Sequence, residues 1–65
     1  MIEWQRKESG YYESIDNRFL IIKTYDRIYG NHWVLHDKII DDYYKRQYHE
    51  DTLRDCKLKA EALKQ

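Results

Sequence analysis

Apolar and polar positions change period once along the chain, separating a strand-rich part from a terminal helix. Ile2 and Trp4 alternate with Glu3 and Gln5, as in a strand with one buried face. Glu8-Ser9-Gly10 reads as a turn and Tyr11 to Ile15 as a second extended piece. Asp16 and Asn17 both tolerate the left-handed region, so they suit a tight hairpin. Arg18 to Tyr25 (RFLIIKTY) is the clearest strand, rich in β-branched and aromatic residues. Its apolar run predicts cover on both faces, with Phe19 and Ile21 pointing one way and Leu20 and Ile22 the other. Asp26 to Asn31 reads as a loop with Gly30 as its left-handed residue. His32 to His36 is the next strand. Trp33 and Leu35 share one of its faces; His32, Val34 and His36 share the other.

Lys38 to Tyr48 admits two readings. Ile40, Tyr44 and Tyr48 stand at i, i+4 and i+8, a helix stripe that Asp37 would cap. Tyr and Ile are mediocre helix formers, so an ordered aromatic loop fits equally. The last segment predicts a good helix. Asp51 or Thr52 can cap it, and Thr52-Leu53-Arg54-Asp55 approximates a capping box with Asp in place of the usual Glu. Leu53, Cys56, Ala60 and Leu63 then form one apolar stripe, with Arg54, Lys57, Lys59, Glu61 and Lys64 outside it. The expected fold is α+β. A three- to four-stranded antiparallel sheet carries the C-terminal helix packed on one face, in a single small domain over residues 1–65. The other sheet face is expected to lack cover and to leave apolar and aromatic side chains partly exposed.

Composition narrows the function classes. A chain of 65 residues buries only about 60% of its unfolded surface, leaving little room for a deep catalytic cleft. Apolar residues are 42% of the chain and aromatics 15%, too many for a disordered segment. No run approaches the length of a membrane span, and no basic stretch precedes an apolar leader. A lone Cys56 excludes an internal disulfide and a Cys-based zinc site, which points to a reducing compartment. Twelve Lys and Arg balance twelve Asp and Glu. That neutrality counts against binding nucleic acid mainly through phosphate contacts. It also removes the self-repulsion that opposes association, so a homodimer through the open face or an edge strand is allowed.

No reaction chemistry is apparent. His32 and His36 share a strand face but lie about 13 Å apart by strand rise, too far to ligate one ion. Asp41-Asp42 lacks the loop signature of a cation site. Cys56 falls on the buried stripe, and a pairing with His49 has no oxyanion hole beside it. Gly10 and Gly30 are isolated, so there is no phosphate-binding loop. The expectation is therefore no enzyme, no metal and no cofactor.

Ten aromatics exceed what so small a core can hold. Trp4, Phe19, Trp33 and Tyr12 suffice to fill it. Tyr11, Tyr25, Tyr29, Tyr43, Tyr44 and Tyr48 are left as surface candidates. Tyr43, Tyr44 and Tyr48, beside the acidic Asp41 and Asp42, are the expected protein-contact residues, because Tyr offers large area at modest entropy cost. The acidic pair would meet a basic surface.

The pattern of Trp4, Gly-Tyr-Tyr-Glu-Ser (10–14), Asp-Asn-Arg-Phe (16–19), His-Trp-Val-Leu-His-Asp (32–37) and Thr-Leu-Arg-Asp-Cys-Lys-Leu-Lys-Ala-Glu (52–61) resembles very small bacteriophage or prophage accessory proteins. Such proteins include anti-CRISPR inhibitors. The resemblance implies a stoichiometric inhibitor or modulator of a host macromolecule, such as a defence nuclease, in the cytoplasm of an infected or lysogenic bacterium. The element order also looks like the AP2 and phage-integrase N-terminal DNA-binding domains, which read DNA with a three-stranded sheet. On that alternative Arg6, Lys7, Arg18, Lys23 and Arg27 would contact DNA. The interleaved Glu3, Glu8 and Glu13 and the longer segment 38–51 depart from that pattern.

Overall fold

Three residues reverse the chain at positive φ, each where the sequence predicts a turn: Gly10 at 77°, Asn17 at 66° and Gly30 at 69°. The computed structural model describes residues 1–28, 30–38 and 47–64. Five strands pair in chain order around these turns: β1 (Trp4–Glu8), β2 (Tyr11–Ser14), β3 (Phe19–Asp26), β4 (Gly30–Asp37) and β5 (Gln47–Glu50). Helix α1 (Leu53–Lys64) follows. Every pairing is antiparallel, so the sheet is a simple meander.

The α+β class is as the sequence predicts, but among the described residues the sheet has five strands rather than three or four. The additional strand is β5. Four residues are too few to display a period, and the Tyr48 spacing suggested a helix instead. That helix does not reach Tyr48, which lies in β5 opposite Leu35. Residues 39–46, with Ile40 and Tyr44, lie outside the described residues. Asp37, the expected cap, is the last residue of β4.

Alternation sorts the two sheet faces. Arg6, Tyr12, Ile21, Leu35 and Tyr48 form one cross-strand row on the side that α1 covers. The core is Ile2, Phe19, Ile21, Leu35, Cys56 and Ala60. Trp4, Tyr12, Trp33, Tyr48, Leu53 and Leu63 pack around it. Phe19, Ile21 and Leu35 are fully buried, each contributing about 1.5–3 kcal/mol of transfer free energy. The helix stripe read from the sequence is the stripe that packs. Thr52 caps it: the Asp55 N–H donates to Thr52 Oγ1 at 3.0 Å.

Two polar networks lock the ends of the elements. At the β2–β3 turn, Ser14 Oγ accepts the Phe19 N–H at 2.9 Å and donates to Asp16 Oδ1 at 2.7 Å. Asp16 also accepts the Arg18 N–H at 3.1 Å and pairs with Lys64 Nζ at 2.9 Å. These donors hold the Asp16 carboxyl well below its ordinary range, the Ser14 hydroxyl contributing most. The second network centres on Arg18. Its Nε and Nη2 donate to the two carboxylate oxygens of the buried Asp37, both at 3.1 Å. Nη2 also reaches the Leu63 carbonyl at 3.4 Å, and the guanidinium lies 4.7 Å from the Phe19 ring centroid. One side chain thus ties the start of β3 to the end of β4 and the last turn of α1.

The second face departs from expectation only in part, since Tyr11, Leu20 and Ile22 on it are half-buried. Tyr11, Ile22, Val34 and His49 form its central row, with Thr24 and His32 beside it. Val34 is only 4% exposed and His32 3%, so the middle of this face is buried rather than open.

Candidate functional site

Two places bring chemistry-bearing side chains together. The first is a groove of about 460 Å³ between the N-terminal segment and α1. The segment is held by the Ile2 N–H, which donates to Glu61 Oε1 at 2.6 Å, and by the Ile15 N–H, which donates to the Glu3 carbonyl at 2.9 Å. Ile2, Trp4 and Leu58 line an apolar floor, with Arg54 and Lys57 on the rim. Leu58 is 56% exposed, although it is one of the larger apolar residues of the helix. It lies off the Leu53, Cys56, Ala60 and Leu63 stripe. An apolar residue at an outward helix position is a signal in the sequence that the stripe alone does not use.

The second place is on the other sheet face. His32 Nε2 lies 2.9 Å from His49 Nδ1, and Asp26 Oδ2 lies 3.8 Å from the same His32 nitrogen. The other ring nitrogen, His32 Nδ1, is 3.1 Å from the Gly30 carbonyl. A carbonyl only accepts, so Nδ1 carries a proton, and of the two facing nitrogens, His32 Nε2 and His49 Nδ1, one donates to the other. A hollow of about 210 Å³ opens here, lined by His32, His49, Glu50 and Asp51. His36 shares the face, and burial lowers its pKa, with His49 adding to the shift. Sequence spacing compared His32 with His36; the partner that meets His32 comes from β5, the strand the periodicity did not show. Among the described residues, no group of three or more His, Cys, Asp or Glu side chains is placed to hold a metal ion.

The structure distributes the expected contact residues differently. Asp41, Asp42, Tyr43 and Tyr44 lie outside the described residues. Tyr48 packs at the edge of the core, with Lys59 Nζ 4.9 Å from its ring centroid. Of the other surface candidates, Tyr25 is well exposed at 70% and Tyr11 is half-buried. Tyr29 lies outside the described residues.

The five basic residues of the DNA alternative do not form one surface. Arg18 is engaged by Asp37. Lys7 pairs with Glu13 at 3.8 Å, on the face opposite α1, where Lys38 holds the same carboxylate at 2.9 Å. Those two lysines keep the Glu13 carboxyl below its ordinary range, the Lys38 hydrogen bond contributing most. Lys23 points to the α1 side, with Nζ 5.8 Å from the Trp33 ring centroid. Arg6 is exposed in edge strand β1, and Arg27 sits in the β3–β4 turn.

Burial pushes the Cys56 thiol up to about 12, so it is protonated and unreactive at neutral pH. Among the described residues no helix is long and apolar enough to cross a membrane. No protein-family model matches the chain, and comparisons with curated proteins and with solved structures give no match either.

Proposed function

We propose that this chain is a non-enzymatic binding module that captures a protein partner stoichiometrically, in the manner of small bacteriophage accessory proteins that inhibit or redirect a host macromolecule. The observation that carries this reading is the groove between the N-terminal segment and α1. Its floor of Ile2, Trp4 and Leu58 offers apolar area at a fixed, concave place. Its rim carries Arg54, Lys57, whose Nζ lies 5.3 Å from the Tyr12 ring centroid, and Glu61, whose carboxylate accepts the Ile2 amide, which leaves the rim net positive. Charge complementarity therefore selects an occupant: a partner segment with one or two apolar anchors flanked by carboxylates. Trp and Arg are the residue types that dominate such contacts.

The test is a random-peptide display selection on the immobilised chain, followed by titration of the enriched peptides. Enriched sequences are expected to pair Leu, Phe or Trp with Asp or Glu. Their affinity should fall at least about tenfold in Leu58→Asp and in Arg54→Glu, a loss of about 1.4 kcal/mol. Both positions are exposed, so circular dichroism should not change. Peptides that bind Leu58→Asp as tightly as the parent would refute the groove. So would tight, salt-sensitive anisotropy with duplex DNA, or a dimer in sedimentation that Leu58→Asp abolishes, since the occupant would then be DNA or a second copy.

A further inference from the structure

We infer that β1 is a self-association edge, on which a second copy of this chain adds its own β1 antiparallel about a two-fold axis at Gln5. The inference does not rest on the groove.

The hydrogen-bond phase of the sheet decides which groups this edge offers. β1 is the outer strand at one end of the sheet. Its register with β2 pairs Trp4 with Ser14, Gln5 with Glu13 and Arg6 with Tyr12. The Ile15 N–H donates to the Glu3 carbonyl, one step further along the same register. Bonded and non-bonded pairs alternate in an antiparallel ladder. Glu3 and Gln5 therefore turn their backbone groups to β2, while Ile2, Trp4 and Arg6 turn theirs outward. The Ile2 N–H fits that phase, since it is taken by Glu61 on α1 and not by β2. The same bond stops an added strand at its Ile2 end. At the other end the register shifts between Arg6 and Glu8, a bulge that interrupts the edge. A bulge and a lysine restrict indiscriminate edge pairing. The open window is short and holds the N–H and C=O groups of Trp4 and Arg6.

One register lets two copies of this window satisfy each other. Residues bonded across the axis must both face outward. Pairing Trp4 with Arg6 of the second copy, and Arg6 with Trp4 of the second copy, uses every outward group of the window and forms four hydrogen bonds. Pairing Trp4 with Trp4 would set Arg6 against Ile2, whose N–H is engaged. Pairing Arg6 with Arg6 would oppose like charges and run into the bulge.

The side chains suit the register that the backbone selects. On the face opposite α1, Glu3 falls opposite Lys7 of the second copy, and symmetry repeats the pair. On the α1 face, Trp4 falls opposite Arg6 of the second copy, a combination suited to cation–π contact. Glu3, Arg6 and Lys7 are exposed. Lys7 stands 3.8 Å from Glu13, but Lys38 holds that carboxylate at 2.9 Å, so Lys7 can turn to the second copy without stranding it. Zero net charge adds no long-range repulsion. The axis is perpendicular to the sheet, so both helices lie on the same face, and two-fold closure ends growth along this edge. A window this short gives a weak, concentration-dependent dimer.

Sedimentation equilibrium of the chain over a concentration series reads the association, and amide hydrogen exchange locates it. The expected result is a monomer–dimer equilibrium in which the Trp4 and Arg6 amides exchange more slowly as concentration rises. Arg6→Pro removes an outward N–H and keeps the bonds to β2, a position where edge strands accept proline. It should raise the dimer dissociation constant at least about tenfold beyond Arg6→Ala. Glu3→Lys should raise it about tenfold, and adding Lys7→Glu should restore it. Leu58→Asp should leave it unchanged, which separates this edge from any occupant of the groove. Should Arg6→Pro fail to fold by circular dichroism, the charge swap, confined to exposed side chains, decides by itself. A monomer at every concentration would overturn the proposal. So would a dimer that a folded Arg6→Pro does not weaken, or one that the charge-swapped double variant does not restore.

Discussion

Arg18→Ala is the substitution that most sharply separates a structural cation from a ligand-binding one. The side chain makes two charge-assisted hydrogen bonds to Asp37, one longer bond to the Leu63 carbonyl and a cation–π contact with Phe19. Charge-assisted bonds are worth about 1.5–3 kcal/mol each. Breaking a buried ion pair costs about 3–5 kcal/mol, because the remaining charge stays desolvated. The Asp37 side chain is 6% exposed, but that of Arg18 is 22% exposed. Water can therefore enter beside Asp37 and recover part of the loss. About 2–4 kcal/mol is the expected cost. At about 0.05–0.15 kcal/mol per residue, a domain this size holds only about 3–10 kcal/mol in total. Arg18→Ala should therefore remove a large share of the stability and move the urea midpoint well below that of the parent. Arg18→Lys should rescue little, since an ammonium cannot reproduce the two parallel bonds of the guanidinium fork. Urea titration followed by Trp fluorescence measures the loss, with Arg27→Ala as an exposed control expected within about 0.5 kcal/mol of the parent. If Arg18→Ala also fell within that margin, the fork would not be structural, and Arg18 would return to the pool of side chains available to a ligand.

Two further outcomes follow from the titratable groups. The Asp16 and Glu13 carboxyls are depressed in the folded chain. Their contribution is present above the unfolded value, near pH 4, and is lost as pH falls through the folded value. The urea midpoint should therefore drop on acidification below about pH 4, and Asp16→Asn should flatten that drop; an equally steep fall in the variant would remove Asp16 from the account. Cys56, with its thiol pushed up to about 12, should resist a soluble disulfide reagent in the native state and react once urea unfolds the chain. Rapid native labelling would show that the α1 stripe is open at that position.

The local structure was legible because it depends on short-range rules. Alternation over RFLIIKTY set Phe19 and Ile21 apart from Leu20 and Ile22, alternation over HWVLH set Trp33 and Leu35 apart from His32, Val34 and His36, and the sheet keeps both divisions. Asn17 and Gly30 marked the reversals because few residues accept positive φ. Thr52 and the Leu53, Cys56, Ala60, Leu63 stripe marked the helix, since capping and a 3.6-residue period are both encoded within a few turns.

The sites were not legible, and the reason is long-range pairing. Period 2 says which side chains share a face but not which strand lies alongside. Gln47–Glu50 is too short to show a period, and its antiparallel register with β4 alone decides that His49 meets His32. Arg18 and Asp37 are 19 positions apart, and only the β3–β4 pairing brings the cation to the carboxylate that occupies it. Tyr48 likewise reads as a surface aromatic until the helix packs beside it. The groove exists only because the N-terminal segment lies along α1, 59 positions away at the Ile2–Glu61 bond. Sequence alone determined β1 to β4, the helix and which side chains share a face, since those follow from backbone sterics and hydrophobic period. Tertiary structure decided which charges are engaged and which imidazoles meet, because those depend on chain segments that only folding makes neighbours.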